Sequence, residues 1–189
     1  MVLRPEAEFE VARKLRGKGV PLGELFTFLS GLYFRGKLSY ASVFADPPES
    51  CSGIWVITPC RGLLTPEALI TAADLCDFGT TSIAEDAPAY LRPFSRDVRR
   101  LARSIRPDTE IILLGSIATT KYLKVLLKWF GSRLKFPRDF VGRGDMSRGG
   151  LLLRHAEDRL ELDYSCVDGA VLRGRRPPKL KPRRYPKGL

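Results

Sequence analysis

The order of apolar runs along the chain constrains its fold more than any other feature. Ile54 to Thr58 (IWVIT) is short, rich in β-branched residues and set between Gly53 and Pro59, which is the pattern of a buried strand. Thr65 and Pro66 then supply an N-cap and first helical position for a helix to about Leu75. After Pro107 and Asp108 the same order returns, with Ile111 to Leu114 (IILL) as a strand apolar on both faces and a helix from about Thr119 to Phe130, ended by Gly131. Strand, helix, strand, helix predicts an α/β protein with a mainly parallel sheet covered on both faces.

Other segments fill in around that frame. Glu6 to Arg16 is a short helix closed by Gly17 and Gly19. From Leu22 to Phe44, Leu25, Phe28, Leu29, Leu32, Tyr33, Tyr40, Val43 and Phe44 follow helical spacing broken near Gly31 and Gly36, fitting two short helices or one bent one. Ser95 caps a helix with Val98, Leu101, Ala102 and Ile105 on its apolar face and Arg96, Arg99, Arg100, Arg103 and Arg106 elsewhere. LLLRH and RLELDYSCV, on either side of Ala156, Glu157 and Asp158, read as a C-terminal antiparallel hairpin. Residues 1–171 then make one domain, and 172–189, rich in proline and basic residues without an acid, make an extended tail. That tail serves either solubility or contact with a phosphate backbone.

The net charge is +11, and it is unevenly placed. Residues 92–148 carry 14 basic and 5 acidic side chains and residues 172–189 carry 8 basic and none acidic, whereas residues 1–91 carry 8 and 11. Concentrated positive blocks steer polyanions, so the expected partner is a nucleic acid or nucleotide. No stretch approaches the run of roughly 18 apolar residues that spans a bilayer. The N-terminus is charged where a signal peptide is apolar, which points to the cytoplasm. Cys51, Cys60, Cys76 and Cys166 form no CxxC pair, and His155, the only histidine, shows no ligand spacing, so neither a disulfide framework, a metal nor a cofactor is expected.

Three loops are placed to carry chemistry if they follow strands of a parallel sheet. In Thr58 to Gly62, Cys60 and Arg61 either face a site or form a tight turn in which Cys60 is a buried filler. Gly115 to Thr120 offers small and hydroxyl residues at a helix N-terminus, where an anion could meet backbone N–H groups, Ser116 and Lys121. The signal matches neither a GxGxxG nor a Walker sequence. Phe140 to Gly150 interleaves glycines with Arg143 and Arg148, the composition of an anion nest from Arg143, Gly144, Ser147, Arg148 and Gly149, with Asp145 to orient an arginine or act as acid or base. The alternative is a flexible loop leading into the hairpin. A further patch, Leu32 to Tyr40, allows base stacking on Tyr33 or Tyr40 with Arg35 or Lys37 on phosphate, or simply buries its aromatics.

The stretches LYFRGKLSYA, WVITPCRGLLTP, LLGSIATTKY and FVGRGDMSRGGLLLR resemble a family of bacterial proteins of unassigned function. In order they are similar, more distantly, to a Rossmann-like group that includes the catalytic domain of archaeosine synthase and the peroxide-stress YaaA proteins. The resemblance covers most of Phe26 to Val167 and implies a three-layer Rossmann-like α/β fold and a connection with nucleic acid or modified bases. The lysine-rich motif of those distant relatives appears here only as Pro59-Cys60, without the lysine, tyrosine and histidine that follow, so no catalytic residue is carried over.

Together these readings predict a protein that binds a phosphate-bearing ligand. It acts either as an enzyme on a nucleotide, nucleobase or nucleic acid, with Asp145 or Cys60 reactive, or as a noncatalytic nucleic-acid-binding protein using its basic face and tail. A basic scaffold for an acidic protein partner is the third possibility.

Overall fold

A computed structural model describes residues 2–49, 51–118 and 120–171, together with Gly174, Arg175, Pro177, Pro178, Leu180 and Pro182. The expected tail, 172–189, therefore lies largely outside the described residues.

The chain opens with α1 (Glu10–Arg16), closed at Gly17, whose N–H reaches the Arg13 and Lys14 carbonyls. β1 (Val20–Pro21) leads into α2 (Leu22–Phe44), and the break foreseen in that segment falls at Gly31, with φ 60° and ψ −138°. Only glycine adopts such a backbone readily, and a Cβ there would meet open space, so the residue is present for its conformation rather than for close packing. β2 (Val56–Ile57) folds straight back onto β3 (Leu63–Leu64). β4 (Leu69–Ile70) pairs with β1, and α3 (Ala72–Thr80) follows. α4 (Pro88–Ser104), β5 (Ile111–Ile112), α5 (Thr120–Phe130), β6 (Leu134–Pro137), α6 (Asp145–Asp158) and β7 (Tyr164–Cys166) complete the described α-helices and strands.

The expected mainly parallel, Rossmann-like three-layer sheet is not formed. The described strands make two sheets of two strands and one of three, in the order β5-β6-β7, and only β5 with β6 is parallel. The IWVIT strand is the cause. Thr58 N–H donates to Gly62 O at 2.9 Å, and Gly62 at φ 67° turns the chain directly into an antiparallel partner, leaving no crossover. One parallel β5-α5-β6 unit is what remains of the predicted pattern.

Three element boundaries differ from expectation for identifiable reasons. The helix after the hairpin starts at Ala72 rather than Pro66, because Thr71 and Asp74 form a reciprocal capping box. The arginine helix starts at Pro88, seven residues ahead of Ser95, and tolerates Pro93 within it. The expected C-terminal hairpin fails in its first half, since Leu151 to His155 lies inside α6, which ends at left-handed Arg159. Its second half survives as β7, antiparallel to β6.

Two apolar clusters hold these elements. One gathers Leu15, Val20, Leu22, Leu25, Ile70 and Phe78 from α1, the β1–β4 pair, the start of α2 and α3. The other gathers Tyr40, Phe94, Val98, Phe130, Leu134 and Leu152 from α2 after its bend, α4, α5, α6 and the three-stranded sheet. α2 and α6 form the most extensive packing between described elements. Their backbones meet at Gly36 and Gly149: a Cβ on Gly36 would stand 2.6 Å from Gly149 O, and one on Gly149 2.8 Å from Leu32 O.

Candidate functional site

Gly149 shows what the glycine-rich segment is for. Asp145 to Gly150 forms the first turns of α6, and Gly149 lets that helix press against α2 rather than bending N–H groups around an anion. Gly144 is the N-cap residue, without a side-chain cap. The two arginines direct donors to the chain's own oxygens. Arg143 Nε reaches Asp139 O at 2.9 Å and its Nη1 reaches Ser147 Oγ at 3.3 Å, while Arg148 Nε and Nη2 both reach Phe140 O, at 3.3 and 3.2 Å.

The segment nonetheless sits near the Ser116 turn, with Tyr33 as the go-between. Tyr33 Oη donates to Leu114 O at 3.1 Å, and Arg148 acts on the same hydroxyl, drawing down a pKa that burial raises. Across the turn, Tyr122 Oη donates to Ser116 O, and burial pushes Tyr122 up to about 12. Gly115 faces that hydroxyl so closely that a Cβ would stand 2.9 Å from it. Lys37, one helical turn beyond Tyr33, places Nζ 3.9 Å from the centre of the Tyr33 ring. It has no ion-pair partner among the described residues, and burial lowers its pKa to about 8.

These contacts bring Tyr33, Lys37, Gly115, Ser116, Tyr122, Asp145 and Arg148 into one neighbourhood. Asp145 stands beside them with a side chain 70% exposed, 3.7 Å from Arg148. Lys121 is exposed in the first turn of α5, and Arg35 is exposed on α2. Cys60 and Arg61 belong elsewhere. Cys60 packs on the cluster around Leu22, and Arg61 pairs with Asp74 at 3.0 Å. Tyr40 is no stacking platform either: it is 1% exposed, it shares a 2.6 Å hydrogen bond with Tyr164, and it accepts one from Leu162 N–H.

The larger electrostatic feature lies on α4. Arg92, Arg96, Arg99 and Arg103 follow i, i+4, i+7, i+11 spacing, and Arg100 stands beside them, all exposed. At 3.6 residues per turn the five fall within an arc of roughly 100°. Asp97 is the one acidic residue in the helix, and it is turned inward at 3% exposure. It accepts from Leu63 N–H at 3.2 Å and pairs with Arg96 at 3.0 Å and Arg100 at 3.4 Å. Arg92, Arg99 and Arg103 have no ion-pair partner among the described residues. Sequence reasoning identified this cationic face but missed Arg92, because it started the helix at Ser95; Pro88, a favoured first-turn residue, was the overlooked signal.

Among the described residues no group of His, Cys, Asp and Glu could hold a metal ion, and no helix is long and apolar enough to cross a membrane. In comparisons with protein-family profiles, curated proteins and solved structures, nothing matches this chain.

Proposed function

We propose that this protein binds nucleic acid through the phosphate backbone, with the arginine face of α4 as the principal contact. The observation that carries the reading is the set of three exposed guanidiniums, Arg92, Arg99 and Arg103, aligned on one helix face without carboxylate partners among the described residues. From Arg92 to Arg103 the face is about 16 Å long, enough to meet several successive phosphates, and guanidinium forks suit phosphate oxygens. The contacts are to the backbone, so sequence preference is weak. The reading sets the protein in the reducing cytoplasm, in keeping with four cysteines that all stand free.

The test is a titration of fluorescently labelled duplex DNA and single-stranded RNA across a range of salt concentrations. The parent chain gives a linear fall of log affinity with log salt. An Arg92→Gln/Arg99→Gln/Arg103→Gln variant flattens the duplex slope by about 0.9 for each phosphate that its arginines no longer neutralise. Unchanged affinity and slope in that variant would exclude α4 as the contact.

A second reading, an enzyme or binding protein for a single nucleotide, is favoured by Lys37, whose amine lies over the Tyr33 ring within the influence of Arg148 and Asp145 and has no ion-pair partner among the described residues. In that case Lys37→Gln abolishes mononucleotide binding in calorimetry, whereas the α4 variant retains it.

A further inference from the structure

A cavity of about 690 Å³ lies between the β2–β3 hairpin and β5, and both strands turn bare edges to it. Alternation along each strand fixes this. Thr58 N–H donates to Gly62 O, so Ile57, its neighbour in β2, directs its own N–H and C=O away from β3. Leu113 N–H donates to Lys135 O at 2.7 Å, so Ile112 directs its groups away from β6. Ile57 and Ile112 both line the cavity, and neither backbone has a hydrogen-bond partner among the described residues.

Backbone groups left unpaired beside apolar surface are costly, and the walls here include Phe44, Trp55, Leu101 and Leu126. The rim is mainly acidic. Asp46, Asp108, Glu110 and Glu161 lie along the cavity with Arg106 as the only cation among the described residues of its lining, in a chain of net charge +11. Asp108 is matched by Arg106, and Glu110 by Lys135. Glu161 meets the neutral Tyr164 hydroxyl, at 2.8 Å, and neither it nor Asp46 has an ion-pair partner among the described residues.

We propose that this slot receives one extended peptide strand from a partner protein, hydrogen-bonded along both edges and carrying lysine or arginine side chains toward the acidic rim. Neighbouring strands lie about 4.8 Å apart, and a strand inserted between two bare edges pairs with both at once. It would join the pieces into one sheet, in the order β3-β2-insert-β5-β6-β7. The anionic rim disfavours a nucleic-acid strand here, and the site is independent of the α4 face.

The experiment follows amide hydrogen exchange at Ile57 and Ile112 in the full chain. The probe is a short capped peptide alternating lysine and valine, compared with one alternating glutamate and valine and with the lysine peptide N-methylated at its valines. Both amides exchange freely in the unbound protein and slow by at least about ten-fold when the lysine peptide binds. The glutamate and N-methylated peptides bind at least about ten-fold more weakly. Three results would overturn the proposal: both amides protected without peptide, which means the chain closes the slot itself; no protection on adding the lysine peptide; or undiminished binding after N-methylation.

Discussion

Lys37 carries its charge where water is scarce. Burial lowers its pKa from the usual 10.5 to about 8, with Arg148 pushing the same way and Asp145 opposing. The sign of the consequence is fixed by linkage: between pH 8 and 10.5 the unfolded chain binds more protons than the folded one, so stability rises with pH across that window. Lys37→Met, which keeps the aliphatic stem against Tyr33 and removes the charge, raises the urea midpoint at pH 7 and abolishes that rise. Paired denaturation curves at pH 7 and pH 10 measure both effects. The sequence brought Lys37 forward only as a possible phosphate contact beside two tyrosines. Its desolvation depends on α6 crossing over α2, which no local pattern contains. Asp97 is similar: its place within an arginine run was plain, but its bond to Leu63 N–H joins residues far apart in the chain.

At the scale of elements, the crossing of α2 and α6 is the most exacting contact. A methyl group on Gly149 would meet Leu32 O and the Tyr33 Cα at 2.8 Å, and those are backbone atoms that cannot swing aside. Gly149→Ala therefore costs about 1–3 kcal/mol, the usual penalty for overpacking, whereas Gly144→Ala, with open space around it, leaves the crossing intact. Chemical denaturation of the two variants checks the contrast. This crossing also explains why α6 was illegible. Its first turns are rich in glycine, which is a poor helix former, so the segment reads as a loop, and the short apolar run after it fits a strand as well as a helix. Where the pattern was longer and its ends were marked, as in α5 between the Ser116 turn and Gly131, sequence and structure agree to within a residue.

For the whole molecule, the charge distribution was readable because it needs only composition, while the sheet was not, because strand pairing depends on turns as much as on apolar runs. Gly62 reversed the chain where a crossover was expected, and the parallel sheet vanished with it. The two apolar clusters that result are not independent. α2 contributes Leu22 and Leu25 to one and Tyr40 to the other, and the adjacent residues Leu64 and Leu63 divide in the same way. The molecule should therefore unfold in urea as a single transition. Coincident curves from far-ultraviolet circular dichroism and from tryptophan fluorescence, which reports Trp55 and Trp129 in the second cluster alone, are the expected result.

Gly31 is what lets α2 serve both clusters. An unbroken helix of the 23 residues from Leu22 to Phe44 would be a straight rod about 35 Å long, with its two apolar ends held in line. The bend at one residue without a side chain turns that rod into an elbow, so the angle at which the two halves of the protein meet is fixed at the position with the least substance in the chain.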